Sequence, residues 1–90
     1  MKKVSAIVVN WNGKDVLSAC LQSLLKQDYS DLEIWVSDNG SEDGSQALVR
    51  ELYPMVHLLE NGANLGFGSA VNRALEKADG DYFLFLNNDL

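Results

Sequence analysis

The sequence predicts an α/β fold on a parallel sheet, and three observations carry that prediction. Four apolar runs of strand length, Val4–Val9, Leu32–Ser37, Val56–Leu59 and Tyr82–Leu86, are spread along the chain. The longer segments between them carry apolar residues at helical spacing. The connections are short and rich in Asn, Asp, Gly and Ser. Strict alternation of this kind implies right-handed crossovers and helices on both faces of the sheet.

Each element has its own local reason. Val4–Val9, V-S-A-I-V-V, is β-branched and suits a strand buried on both sides. A helix follows over about Lys14–Gln27, with Val16, Leu17, Cys20, Leu21, Leu24 and Leu25 on one face. Asn12 is its expected N-cap, and Asp15 sits in the favourable first turn. After the second strand, the turn formers Asp38–Ser45 lead into a helix over Ser45–Leu52, which stops before Pro54. The third strand is Val56–Leu59, and Asn61-Gly62 signals a turn. The third helix spans about Phe67–Ala78, with Gly80 as its expected C-terminal cap. Tyr82–Leu86, Y-F-L-F-L, forms the fourth strand.

Composition removes several functions. The chain has 90 residues, 47% of them apolar, enough for one modest core. Its formal net charge is -6 and its densest basic pair is Lys2-Lys3, so no nucleic-acid partner is expected. Cys20 is the single cysteine, which rules out an intrachain disulfide and suits a reducing cytoplasm. No apolar run approaches the ~20 residues of a transmembrane helix. The first loop holds only Gly13, so the dinucleotide fingerprint G-x-G-x-x-G is missing. A phospho-accepting receiver domain needs paired acidic residues after the first strand, and Asn10-Trp11-Asn12 supplies none. His57 lies in a strand and reads as structural; Cys20, on an apolar helix face, reads as an inert thiol.

In an open parallel sheet, ligands bind at the carboxyl ends of the strands. Those ends carry Asn10-Trp11, Asp38-Asn39, Glu60-Asn61 and Asn87-Asn88-Asp89. The Asp38 carboxylate can accept a hydrogen bond from a uracil-type ring N–H or a ribose hydroxyl, or it can cap backbone groups of a tight turn. Trp11 can stack on a base or cover the sheet end as a core aromatic. Asn64-Leu65-Gly66-Phe67-Gly68 allows a close backbone approach to an anion, or serves only as a permissive helix start. Asp89 can bind Mg²⁺ or Mn²⁺ through oxygen, or close the fourth strand in an Asn/Asp turn.

Four segments together resemble the family 2 glycosyltransferases: V-S-A-I-V-V-N-W-N-G (4–13), V-S-D-N-G-S-E-D-G-S (36–45), N-x-G-F-x-x-x-x-N (64–72) and F-L-N-N-D (85–89). They stand in family order over essentially the whole chain, and the third points to rhamnosyltransferase-like members. The resemblance implies a GT-A fold: a three-layer α-β-α, Rossmann-like parallel sheet of about four strands in the order 3-2-1-4. It implies that Asn10, Trp11, Asp38, Asn39, Gly66, Asn72, Asn87 and Asn88 line a nucleotide-sugar subsite. Asn87-Asn88-Asp89 stands where the family carries its D-x-D motif, with Asn87 at the first acidic position and Asp89 as the metal ligand.

The donor implied is a UDP-, dTDP- or GDP-sugar held through Mn²⁺ or Mg²⁺, for transfer to an acceptor hydroxyl in glycan or cell-surface polysaccharide synthesis. Residues 1–90 then form the nucleotide-sugar-binding part of a GT-A domain, cut just after the motif. The general base and acceptor pocket come from beyond it, so no catalytic residue is assigned. The part is expected to be inactive alone, and its parent to be cytoplasmic, peripheral at the inner membrane face. The competing expectation is a non-catalytic α/β module that self-associates through its fourth strand.

Overall fold

The structure, a computed structural model, describes residues 2–27, 29 and 31–87. Four strands, β1 (Val4–Asn10), β2 (Leu32–Asp38), β3 (His57–Glu60) and β4 (Tyr82–Asn87), alternate with three helices, α1 (Lys14–Leu25), α2 (Ser45–Leu52) and α3 (Phe67–Leu75). The strands form one parallel sheet in the order β3-β2-β1-β4, as the sequence predicts.

β1 is central because its residues 5–10 are buried throughout. Side chains alternate between the two faces of a strand. Ala6 and Val8 therefore share one face with Ile34 and Val36, beneath Leu17, Leu21 and Leu24 of α1 and Val49 of α2. Leu17 and Leu21 are fully buried, and each contributes roughly 1.5–3 kcal/mol. Val9 faces the other way, against Ala70 and Val71 of α3. The Ser37 hydroxyl donates to the Ala70 carbonyl (2.9 Å), which fixes α3 over β2. The three layers follow from this division.

The strands run one residue further than their apolar runs, because Asn10, Asp38 and Glu60 still pair across the sheet (Asn10 with Asp38, Asp38 with Glu60). The helices end earlier than predicted, α1 at Leu25 and α3 at Leu75. Two helix-end expectations need correction. Asn12 does not cap α1: its Oδ1 accepts the Glu42 N–H (2.7 Å) from the opposite loop. Gly80 does not cap α3, whose last turn closes when the Lys77 and Ala78 N–H groups donate to the Ala74 carbonyl. Gly80 instead lies against β1, where its N–H donates to Ser5 Oγ (2.9 Å). Ser5 Oγ in turn donates to Glu33 (2.6 Å).

Gly13 is the N-cap of α1 and offers no side chain, so the first turn is closed from the opposite loop by Asp43. Its Oδ2 accepts the Lys14 N–H (2.9 Å), while Oδ1 accepts the Ser45 N–H (3.0 Å) at the start of α2. One carboxylate thus closes two helix N-termini. Burial would raise its pKa, but hydrogen bonds from the Ser45 hydroxyl, the Lys14 N–H and the Ser45 N–H outweigh burial and lower it. Asp43→Ala is expected to cost about 2 kcal/mol at neutral pH, about one per cap. A depressed folded pKa means this contribution is complete above the unfolded value, about 3.9, and is lost as pH falls through the folded one. Urea melts of both proteins between neutral and strongly acid pH should therefore converge in acid. A gap that stays constant to the acid end contradicts the assignment.

β4 is an edge strand. Tyr82, Phe83, Leu84 and Phe85 are all exposed, with Phe83 and Phe85 stacked at 6.4 Å. Below Leu84 lies an apolar cleft of about 380 Å³ lined by Val4, Leu24, Gln27, Tyr29 and Leu32. Among the described residues no helix is long and apolar enough to cross a membrane.

Candidate functional site

The carboxyl ends of β1, β2 and β3 are sewn together by side-chain amides and one carboxylate. Asp38 ends β2 and is 1% exposed. Its Oδ1 accepts Asn10 Nδ2 (2.9 Å) from β1 and Ser41 Oγ (2.7 Å). Its Oδ2 accepts the Ser41 N–H (2.9 Å) and Gln46 Nε2 (2.8 Å) from α2. A carboxylate has about four acceptor positions, and Asp38 uses four. The turn reading of Asp-Asn-Gly-Ser is therefore realised, as a carboxylate closing on the N–H three residues ahead.

Ser41 Oγ carries the link onward. It accepts Asn10 Nδ2 (3.2 Å) and the Asn12 N–H (2.9 Å), so the loop after β1 hangs on the loop after β2. Asn12 adopts φ +52, a left-handed conformation that asparagine tolerates better than most residues. This turns its side chain toward Glu42.

Asn39 does the same toward the third loop. It is 1% exposed. Its Nδ2 donates to the Gly66 carbonyl (3.2 Å) and Asn64 Oδ1 (3.4 Å), and its Oδ1 accepts Asn61 Nδ2 (2.8 Å). Gly66 stands before α3 at φ +84, ψ +168, a region essentially reserved for glycine. A Cβ there would meet nothing within 4 Å, so the glycine is required by backbone geometry alone.

The predicted site residues thus divide. Asn10, Asp38 and Asn39 come together at one sheet edge, but as a buried, mutually bonded frame. Trp11 is the open member: it follows β1 directly and is 41% exposed, which excludes the core reading. Gly66 joins the frame through its carbonyl. Asn72 is exposed on α3, the sixth residue of that helix. Asn87 ends β4 half-buried, level with Val9 of β1. Asn88 and Asp89 lie outside the described residues.

The described residues include no group of three His, Cys, Asp or Glu side chains arranged to hold a metal ion. The Asp38 carboxylate is spent on internal donors. Sequence reasoning missed Ser41 and Gln46, and placed Asn61 at a strand end and Asn64 before α3 without their bonds to Asn39. Ser41 was detectable as the third residue after an aspartate in a turn; the others depend on how the loops fold over one another.

A cleft of about 340 Å³ opens beside this frame, lined by Asn12, Gly13, Lys14, Asp15, Val16 and Asp43. His57 stacks on Trp35 (4.5 Å) in β2 and takes no part in the strand-end cluster. Burial raises the pKa of the Cys20 thiol, in keeping with an inert role.

Comparison with known proteins gives this geometry a context. The chain is 32% identical over 93 residues to a GalNAc(5)-diNAcBac-PP-undecaprenol beta-1,3-glucosyltransferase of Campylobacter jejuni, covering 99% of this chain and 30% of that protein. It is 38% identical over 69 residues to an N-acetylglucosaminyl-diphospho-decaprenol L-rhamnosyltransferase of Mycobacterium tuberculosis, covering 77% of this chain and 22% of that one. A mannosyltransferase of Pyrobaculum calidifontis, solved with GDP-Man and Mn²⁺, superimposes with a TM-score of 0.88 at 30% identity, covering 98% of this chain and 28% of that one. This chain therefore spans less than a third of each of these proteins. The model of Glycosyl transferase family 2 matches residues 5–90. With four parallel strands in the expected order and a match over nearly its whole length, the chain belongs to glycosyl transferase family 2.

Proposed function

We propose that this chain forms the nucleotide-sugar subsite of a glycosyltransferase, its residues 1–90 being the first part of a GT-A domain. The observation that carries the reading is the rigid polar frame at the strand ends, with Trp11 exposed beside it. A frame already bonded within itself is pre-organised, so a donor meets it without ordering cost. Trp11 offers its face to the base, and Asn10 and Asn39 hold the loops in register. Asn87, the last residue of β4, and Asn88 and Asp89, which follow it in the sequence, are assigned to the sugar diphosphate, with Asp89 as the ligand of a divalent cation, Mn²⁺ or Mg²⁺. When bound, that cation offsets charge on the leaving diphosphate. Gly66 and Asn72 belong to the subsite through the loop and helix that follow β3.

The donor class is a UDP-, dTDP- or GDP-sugar, and the transfer is to an acceptor hydroxyl in glycan or polysaccharide synthesis. The lipid diphosphates in the names of two relatives favour a protein at the inner face of the cytoplasmic membrane, without a span of its own in these residues. Titration calorimetry with UDP-, dTDP- and GDP-sugars, with and without Mn²⁺, tests the subsite. Saturable, metal-dependent heat for one of them is the expected result; no heat with any donor contradicts it.

The exposed aromatic row of β4 favours a second reading, self-association of two copies edge to edge through unpaired strand groups. Sedimentation should then show a concentration-dependent dimer that Phe83→Lys abolishes. A monomer at every concentration rejects it.

A further inference from the structure

We infer that Gln46 is the exchangeable partner of Asp38: its side-chain amide occupies the place of the ring N–H of a donor's base and leaves when that base binds. The inference rests on the donor-subsite reading above and adds a residue and a selection rule to it.

Asp38 is buried and its acceptor positions are filled, so any ligand donor that reaches it must evict a present one. The four donors are not equally removable. The Ser41 N–H belongs to the backbone of the turn. Ser41 Oγ is also held by Asn10 and by the Asn12 N–H. Asn10 is fully buried in the central strand and cannot swing out. Gln46 alone among the donor residues is half-buried rather than buried. It is the second residue of α2, so its backbone stays in the helix whichever way the side chain turns.

Departure of Gln46 breaks two hydrogen bonds, to Asp38 Oδ2 (2.8 Å) and to the Ser41 carbonyl (2.9 Å). Water takes over the freed amide and the Ser41 carbonyl, and the ligand takes over Oδ2. One N–H donor to a carboxylate replaces another, so the exchange is close to balanced. Before the ligand arrives, Gln46 spares Asp38 the cost of a buried, under-bonded charge.

Selectivity follows from the same geometry. Uracil, thymine and guanine each carry a ring N–H beside a carbonyl and can replace the Gln46 amide. Cytosine and adenine present a bare ring nitrogen at that place. Its lone pair would face Oδ2, which only accepts. The site therefore selects its base by which ring can evict Gln46.

The test is NMR of the ¹⁵N-labelled protein, following the Gln46 side-chain amide, which is assigned by its disappearance in Gln46→Met. With Mg²⁺ present, UDP should move this signal to the position of a water-exposed glutamine and speed its exchange with solvent. CDP, alike in sugar and diphosphate, should leave it in place. Gln46→Met should bind UDP roughly three- to tenfold more tightly, because the internal competitor is gone, with CDP unchanged. Binding of UDP with the Gln46 signal unmoved overturns the exchange and leaves the donor reading intact. So does a Gln46→Met protein that binds UDP no better than the parent. Absence of binding by either nucleotide overturns the donor reading and the exchange with it.

Discussion

Asp38→Ala is expected to lower stability by about 3–5 kcal/mol, because it removes the acceptor of four hydrogen bonds from a buried place. The Ser41 N–H is left in a buried place that water does not reach readily, and Asn10 Nδ2 loses its shorter bond while keeping Ser41 Oγ. Small domains hold only about 5–15 kcal/mol in all, so the variant should stand near the edge of folding. Asp38→Asn sharpens the test. Its NH₂ must stand at Oδ1 or at Oδ2. At Oδ2 it faces the Ser41 N–H, which cannot turn away. At Oδ1 it forces the Asn10 amide to flip and abandon Ser41 Oγ. A loss of about 2 kcal/mol is expected for this nearly isosteric change. Urea denaturation of both variants checks the pair, and amide exchange at Ser41 should rise before the sheet core loosens. A cost under about 1 kcal/mol for the alanine variant would show that the frame contributes little.

Gly80→Ala is expected to cost about 3 kcal/mol by overpacking. A Cβ at this position would lie 2.4 Å from Ser5 Oγ and 2.8 Å from the Ser5 backbone N. Neither neighbour can yield easily. Ser5 is fully buried in the central strand, and its hydroxyl joins the Gly80 N–H to Glu33. In a chain of this size each kcal/mol shifts Tm by roughly 4–8 °C, so the midpoint should fall by about 12–24 °C. The double variant Ser5→Ala/Gly80→Ala relieves the clash with the oxygen and leaves the one with the backbone nitrogen. Partial recovery relative to Gly80→Ala is therefore expected in a thermal melt. An unchanged midpoint in the single variant would show that the loop before β4 can move off β1 at no cost.

Much of the fold was legible because the hydrophobic period changes cleanly along the chain. V-S-A-I-V-V reads as a strand without help from its surroundings, and the stripe Leu17, Leu21, Leu24 reads as a helix face. The ends were less legible. Asn10, Asp38 and Glu60 look like loop residues in composition, yet the neighbouring strand supplies them with ladder partners. Gly80 reads as a helix stop because glycine often is one; its contact with Ser5 spans 75 positions and leaves no local trace.

The candidate site divides along the same line. That Asp38 and Trp11 stand at the ligand edge follows from topology and could be read from the strand order. That Asp38 is already occupied depends on the parallel register, which sets Asn10 opposite it, and on α2 folding back to deliver Gln46. Neither fact is encoded near residue 38.

Three of the asparagines that tie the loops together, Asn12, Asn39 and Asn61, are each followed by glycine. That dipeptide is the one most prone to spontaneous deamidation, since glycine leaves the next nitrogen unhindered to attack the side-chain carbonyl. The chemical lifetime of the protein is therefore tied to its loop frame. Conversion of Asn12 would be tolerated, because its oxygen already serves as an acceptor from Glu42. Conversion of Asn39 would turn a donor to the Gly66 carbonyl into an acceptor, and conversion of Asn61 would set a carboxylate against Asn39 Oδ1. Ageing at these two places would loosen the frame from within while leaving the sheet beneath it whole.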